Sequence, residues 1–344
     1  MEKITYREYR ELLENPETSD ETLEKYVILA RGESGFELSV FPNPETVDVS
    51  DVQWELENAL SIGNDISRWR RQQKFKKRIK QGEQLPIIVS EGDSWFQFPI
   101  IIKDVVDHLK QDYLIYSVGA AGDTAQNMVF GDIDSKRTEY MQAISKLRDD
   151  NLTVDGLMFS AAGNDIIGTN KETGKSSLFD ILKPFNGDAN DIVGHINFSI
   201  FVNKLNFLQT AYLKVISTIR SDPTISNIPI FVHGYDYVFP HPWENDERNP
   251  KYAAKNEWLG DPLDERGIMD MQLRRNIIKF LLDHLHDMLN SLAQDSNQTN
   301  VWVIDCRGVM DDLTDWNDEI HGTSSGFEKI AGEFRNVMDA VLKP

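Results

Sequence analysis

One cysteine, Cys306, is all the thiol chemistry this chain carries. No intramolecular disulfide can form, and no cysteine-based zinc site is available. Long apolar runs are missing as well; nothing approaches the roughly 18 residues that mark a membrane-spanning helix. The start, Met1-Glu2-Lys3-Ile4-Thr5-Tyr6-Arg7-Glu8, has no apolar segment behind a basic stretch, so no secretory signal is expected. A cytoplasmic protein is the simplest expectation, and a delivered effector lacking a signal would look the same. Positive charge is scarce: 36 Lys and Arg stand against 56 Asp and Glu, a net charge of -20. That balance opposes nonspecific binding to nucleic acid or to anionic membrane surfaces. There is no internal repeat and no low-complexity tract.

What is present is an ordinary globular composition, 40% hydrophobic and 27% charged over 344 residues. Residues 1–80 differ from the rest and are expected to form a mainly helical accessory region. Thr5–Leu13 and Ser19–Tyr26 read as short helices. Tyr26–Ala30 and Phe36–Phe41 read as a hairpin around the turn Gly32-Glu33-Ser34-Gly35, stopped at Pro42. Val52–Ile79 reads as a polar helix. From about Leu85 the pattern alternates. Apolar runs at Pro86–Val89, Tyr113–Val118, Gly156–Ser160, Ile228–Val232 and Val301–Ile304 read as strands. Helical patterns lie at Ile100–Lys110, Thr138–Leu147, Phe198–Arg220, Asp270–Leu292 and Phe327–Leu342. This alternation implies an α/β domain over 81–344 with a parallel sheet covered on both faces. Two long connections, near 169–197 and 235–267, are expected to be functional lids or caps, or else disordered.

The first of these runs ends in Glu91-Gly92-Asp93-Ser94-Trp95, which places a serine at a sheet edge, where α/β proteins bind ligands. A nucleophilic serine needs a base, a carboxylate to orient that base, and donors for an oxyanion. Of seven histidines, His321 differs from the rest. It follows Asp318 by three residues in Asn317-Asp318-Glu319-Ile320-His321-Gly322, after the last expected strand, where a tight loop can join carboxylate and imidazole. Candidate oxyanion donors lie in Gly119-Ala120-Ala121-Gly122-Asp123-Thr124 and in Ala161-Ala162-Gly163-Asn164-Asp165, with the Ser94 N–H as a third.

In this order, Ser94, Gly122, Asn164, Asp318 and His321 resemble the blocks of the SGNH hydrolases, also called GDSL esterases and lipases. The resemblance covers roughly Leu85–Leu342. Trp95 stands where leucine is typical, Ala162 where a second glycine is frequent, and Gly322 where proline is frequent. The resemblance implies a three-layer α/β/α flavodoxin-like domain and a serine esterase or lipase needing no cofactor. Ser94, Asp318 and His321 would be catalytic, and Ser94, Gly122 and Asn164 would form the oxyanion hole. The substrate would be an ester of a small molecule, lipid or glycan. Trp95 and the aromatic stretch around Tyr237 are weaker candidates for substrate contact; that stretch reads equally as a packed surface loop.

Other features compete. Gly63-Asn64-Asp65 repeats the letters of the asparagine block, but it lies in a polar helical stretch ahead of Ser94 and is set aside. Gly322-Thr323-Ser324-Ser325-Gly326 matches a nucleophile elbow, yet no histidine follows it in the chain. Ser325 with Glu328 reads instead as a capping box. Asp180, Asp188, Asp191 and His195 match no metal-ligand spacing and read as a solvated acidic loop. The run Arg68–Lys80 is strongly basic. It reads as a solvated helix face paired with the acidic remainder, or as a docking patch for an anionic partner. The second option keeps open a different class of function, a recruitment module acting through residues 1–80 with gated or vestigial hydrolase activity.

Overall fold

A computed structural model describes residues 3–31, 38–49, 62–98, 100, 102–131, 138–168, 174–246, 248, 258–294 and 300–343. The chain begins with β1 (Ile4–Thr5), α1 (Tyr6–Glu14) and α2 (Asp20–Leu23). The side chains of Thr5 and Ser19 cap the two helices by accepting from the N–H groups of Glu8 and Thr22. Strands β2 (Val27–Arg31) and β3 (Leu38–Pro42) pair antiparallel, as the hairpin reading expected; its turn lies outside the described residues. β4 (Val47–Asp48) pairs parallel with β1. The polar helix is α3, Ile62–Lys80.

The central sheet has five parallel strands: β5 (Ile87–Gly92), β6 (Leu114–Ser117), β7 (Gly156–Ser160), β8 (Ile230–His233) and β9 (Val301–Ile304). Their order is β6-β5-β7-β8-β9. Every residue of β5, β6, β7 and β8 is buried. Alternate residues point to opposite faces, so helices must cover both. That is why these strands read as unbroken apolar runs and not as alternating ones. β6 and β9 are the two edges, and Trp302 on β9 is exposed.

The helices between the strands are α4 (Val105–Leu109), α5 (Ala125–Phe130), α6 (Glu139–Asp149), α7 (Gly163–Ile167), α8 (Ser177–Ile181), α9 (Phe198–Ser221), α10 (Gly260–Glu265) and α11 (Met271–Gln294), and α12 (Ser324–Leu342) closes the chain. α12 packs on α4 and β9, and α9 packs on α5 and α11. This is the expected three-layer α/β/α arrangement with flavodoxin-like strand order. Its switch point lies between β5 and β7, where the connections diverge and a crevice opens beyond the strand ends.

Two local readings are corrected. The helix expected over Ile100–Lys110 is confined to Val105–Leu109. Asp104 is its N-cap, accepting from Asp107 N–H at 3.1 Å, and Ile100 sits at a left-handed φ of 61°. The last helix is capped by Thr323, whose Oγ1 accepts from Gly326 N–H at 3.1 Å, and not by a Ser325–Glu328 box.

α3 lies against β6. Arg71 donates to Asp104 at 2.5 Å, to Asp107 at 2.7 Å and to the Phe96 carbonyl at 2.6 Å. Arg70 is buried and donates to the carbonyls of Leu13, Asn15 and Thr18. Arg68 pairs with Glu139, Lys77 with Glu17, and Arg78 with Glu83. These five members of the basic run are therefore paired internally, Arg70 and Lys77 to residues 13–18 and Arg68 and Arg71 to residues 96–139.

Candidate active site

β5 delivers Gly92-Asp93-Ser94-Trp95 to the crevice. The Asp93 carbonyl accepts from the N–H groups of Phe96 and Gln97 at 3.0 and 2.9 Å, so the chain turns directly after the strand. The buried Asp93 carboxylate fixes that turn. It accepts from Trp95 N–H at 3.1 Å, from the Ser160 hydroxyl at 3.2 Å and from the Tyr235 hydroxyl at 2.5 Å. Burial pushes its pKa up to about 6, against the lowering effect of these donors. Ser94 sits on this turn with 7% of its surface exposed.

At the far end of the chain, Trp316 and Gly322 form an antiparallel bridge, and Asn317 N–H donates to the His321 carbonyl at 2.8 Å. This closes a tight loop around Asp318. Asp318 Oδ1 accepts from the N–H groups of Ile320 and His321 at 2.9 and 2.8 Å. His321 Nδ1 lies 2.9 and 3.0 Å from the two Asp318 oxygens. A carboxylate accepts only, so Nδ1 carries the proton and Nε2 presents its lone pair. Nε2 is 2.8 Å from Ser94 Oγ. Burial alone would raise the Asp318 carboxyl. The adjacent imidazole and the N–H donors outweigh it and hold the group below its ordinary value, so it stays ionised.

The other candidate donors flank the serine. Gly122 has φ of 85°, a conformation other residues rarely adopt. Nearby, a Cβ on Gly119 would sit 2.5 Å from the Gly92 carbonyl oxygen, so glycine lets the loops after β5 and β6 meet. The glycine loop is braced by Asn64, which accepts from Ala121 N–H at 3.0 Å and donates to its carbonyl at 3.1 Å. The stretch set aside as a repeat of the asparagine block thus supports the glycine block from α3. Asn164, in the first turn of α7, is buried and donates to the Asp123 carbonyl at 2.7 Å. An amide nitrogen carries two hydrogens, so a second remains. Ser94 and Gly122 N–H have no hydrogen-bond partner among the described residues.

Several supports were not legible from the sequence. Glu319 is fully buried, and its carboxylate accepts from the N–H groups of His241, Trp258, Leu259 and Gly260 at 2.7 to 3.1 Å. Arg248 donates to the Asp318 and Phe239 carbonyls at 3.0 and 2.9 Å. Both tie the 235–267 connection to the Asp318–His321 loop. Tyr235, at φ of 64°, accepts from Gly163 N–H while donating to Asp93, which joins the serine turn to the asparagine loop.

Of the two weaker candidates, Trp95 lines the cavity beside Ser94 and Tyr237 does not. Trp95 is buried, with its ring against His233, Tyr235, Trp316 and Phe327. Its Nε1 donates to the Ile320 carbonyl at 3.0 Å, so it also braces the serine turn against the histidine loop. The Tyr237 hydroxyl donates to Asp283 at 2.5 Å, and Tyr237 does not line the cavity beside Ser94, whereas Tyr235 does. In the 169–197 connection, His195 and Asp191 bond that loop's own backbone and no group of three ligating side chains forms among the described residues.

That cavity, about 100 Å³, runs from Ser94 and Asn164 between α9 and α11. A larger one of about 690 Å³ lies between residues 16–20, α3 and α4. It does not reach Ser94, and Arg70 and Arg71 on its wall are already occupied by carbonyls and carboxylates.

No protein-family model matches the sequence, and a search of curated proteins gave no match. Solved structures with some likeness include a Streptococcus pneumonia protein described as a platelet activating factor. It is 13% identical with a TM-score of 0.40, over 83% of this chain and 99% of that one. A carbohydrate esterase family 3 protein from Talaromyces cellulolyticus is 12% identical with a TM-score of 0.37, over 75% and 99%. An Arabidopsis thaliana protein is 9% identical with a TM-score of 0.34, over 69% and 67%. At these values the likenesses carry no argument about activity. No helix among the described residues is long and apolar enough to cross a membrane.

Proposed function

We propose that this protein is a serine ester hydrolase of the SGNH type, working through an acyl-enzyme. The observation that carries the reading is the unbroken chain Ser94 Oγ, His321 Nε2, His321 Nδ1, Asp318, with links of 2.8 and 2.9 Å. Those are the distances and roles that nucleophilic catalysis by serine needs.

In this reading Ser94 Oγ attacks the ester carbonyl carbon and passes its proton to His321 Nε2. The carbonyl oxygen becomes an oxyanion, met by the free N–H groups of Ser94 and Gly122 and by the second Asn164 amide hydrogen. Asp318, held ionised, fixes the tautomer and stabilises the imidazolium. The intermediate collapses, the carbon–oxygen bond to the alcohol breaks, and Nε2 returns its proton to the leaving alkoxide. A water, deprotonated by the same nitrogen, then attacks the acyl-Ser94 ester. The carboxylic acid leaves and Ser94 regains its hydrogen.

The internal pairing of Arg68, Arg70, Arg71, Lys77 and Arg78 favours this reading over recruitment of an anionic partner through the basic helix. The test is Ser94→Ala assayed on p-nitrophenyl esters. Turnover should fall by about 10³-fold or more, with an unchanged melting temperature. Retained turnover in a folded variant overturns the assignment.

A further inference from the structure

The cavity beside Ser94 has a wall chemistry that distinguishes among ester substrates. Phe201, Leu205 and Leu208 line it from α9, at the i, i+4, i+7 spacing of one helix face. Ile278, Leu281 and Leu285 line it from α11, at i, i+3, i+7. The two helices pack on each other, so both stripes belong to one apolar slot. Among the described residues, no Lys, Arg or His lines it.

The polar groups on its wall are already used. Asp93 accepts from Trp95, Ser160 and Tyr235. Asp236 accepts from the N–H groups of Tyr237, Gly308 and Met310. Tyr235 accepts from Gly163 while donating to Asp93. Beyond Ser94 and Asn164, the slot therefore offers hydrocarbon contact and little else. A sugar hydroxyl or charged headgroup placed there would lose its water and gain no partner, which is costly. An alkyl chain would gain from leaving water.

We propose that this slot receives the acyl chain of the ester, and that the preferred acyl group is a hydrocarbon of about four to six carbons. The proposal rests on the esterase reading above and narrows its substrate class. Size sets the length. A dry cavity of about 150 Å³ lined by Leu, Ile and Phe holds benzene, six carbons. The slot here, at about 100 Å³, matches roughly four carbons as it stands. A modest parting of α9 from α11 accommodates two more, whereas a long fatty chain exceeds it. Acetyl leaves most of it empty. An empty apolar cavity weakens the fold that carries it, and the position of this one, ending at the serine and asparagine, gives it a use.

The experiment is a chain-length series of p-nitrophenyl esters, from acetate through butyrate, hexanoate and octanoate to laurate. With the intact protein, kcat/KM should rise roughly fourfold per methylene, about fifteenfold from acetate to butyrate. It should peak at butyrate or hexanoate and fall at laurate. Leu208→Trp fills the slot and should lower the butyrate-to-acetate ratio at least tenfold. If that variant does not fold, Leu285→Phe serves the same purpose. Phe201→Ala lengthens the slot and should move the peak to longer chains. A preference for acetate, or ratios unmoved in every folded variant, overturns the proposal. So does a companion series of alkyl acetates in which rate follows the alcohol's chain length and not the acyl's. Calorimetric binding of the butyrate and acetate esters to Ser94→Ala protein reads the slot without turnover. Tighter binding of butyrate there, with no turnover by the intact protein, would keep the slot and reject the esterase reading. Turnover lost in Ser94→Ala with no chain-length preference would do the reverse.

Discussion

His321 Nε2 stands 2.8 Å from Ser94 Oγ, although 227 positions separate the two residues in the chain. The contact spans the sheet, from the turn after β5 to the loop after β9. Trp95 holds the two ends in register by donating from its indole to the Ile320 carbonyl.

The orienting role proposed for Asp318 gives the first expectation. Asp318→Asn keeps the side-chain shape but lets Nδ1 face a donor, which favours the wrong imidazole tautomer. Ester turnover should fall by about 10³- to 10⁴-fold, while KM changes little. Steady-state kinetics with a melting curve for each protein checks this. A loss under tenfold would show that the carboxylate does not orient the imidazole for catalysis.

Asn164 provides the second. Its amide already donates one hydrogen to the Asp123 carbonyl, so the loop positions the other. Asn164→Ala should cost about 100- to 1,000-fold in kcat, with a smaller effect on KM. Equal losses in kcat for acetate and butyrate esters are expected, because the oxyanion is common to both. A variant as active as the parent would remove Asn164 from the oxyanion site.

The third concerns Glu319, which the sequence reading passed over. Its carboxylate receives four backbone N–H groups from the 235–267 connection while its neighbours Asp318 and Ile320 sit in the histidine loop. Glu319→Ala strands those donors in a buried site and should destabilise the fold by about 3 kcal/mol or more. Turnover should fall with it. Glu319→Gln, which keeps one acceptor oxygen, should recover part of both. Urea unfolding and kcat measured on the same three proteins decide it, and a fully stable Glu319→Ala would contradict the anchoring role.

His233 supplies a pH dependence. It is fully buried at the end of β8, with Nε2 2.8 Å from the Ser160 hydroxyl and Nδ1 accepting from Tyr235 N–H. Burial pushes its pKa down from 6.5 to about 3. Above pH 6.5 the imidazole is neutral in both folded and unfolded chains. As pH falls below that, the unfolded chain takes a proton that the folded one refuses, so stability drops by up to about 1.4 kcal/mol per pH unit until about pH 3. Asp93, raised to about 6, acts in the opposite direction between pH 3.8 and 6. The reading is therefore the difference between the parent and His233→Asn. Urea unfolding from pH 4 to 7 should show a shallower rise of stability with pH in the variant. Parallel curves would show that His233 does not carry this slope.

How much of this was legible in the sequence varied with how local the signal was. Gly156–Ser160 begins and ends where its apolar run does, because a buried parallel strand leaves an unbroken hydrophobic signature; Val301–Ile304 also matches its run, although Trp302 on that edge strand is exposed. β5 continues through Ser90-Glu91-Gly92, beyond the apolar run that ends at Val89. Glu91 is buried there, and burial pushes its carboxyl well above the ordinary range. The Asp318-x-x-His321 geometry lies within one tight loop, so spacing alone hinted at it. Asn64 and Glu319 were not recognisable. Their partners are backbone groups 57 residues away for Asn64 and 59 to 78 residues away for Glu319, and backbone donors leave no mark in side-chain patterns. The apolar slot needed α9 and α11 to be placed side by side, which neither helical pattern specifies by itself.

The most direct measurement is covalent trapping of the nucleophile. A fluorophosphonate reacts with an activated serine, forming an oxygen–phosphorus bond and releasing fluoride, and peptide mass spectrometry locates the adduct. The account expects one adduct, on the peptide carrying Ser94, and its loss in His321→Ala protein. A folded parent that stays unlabelled, or an adduct at Ser160 or Ser325 with Ser94 unmodified, would contradict it.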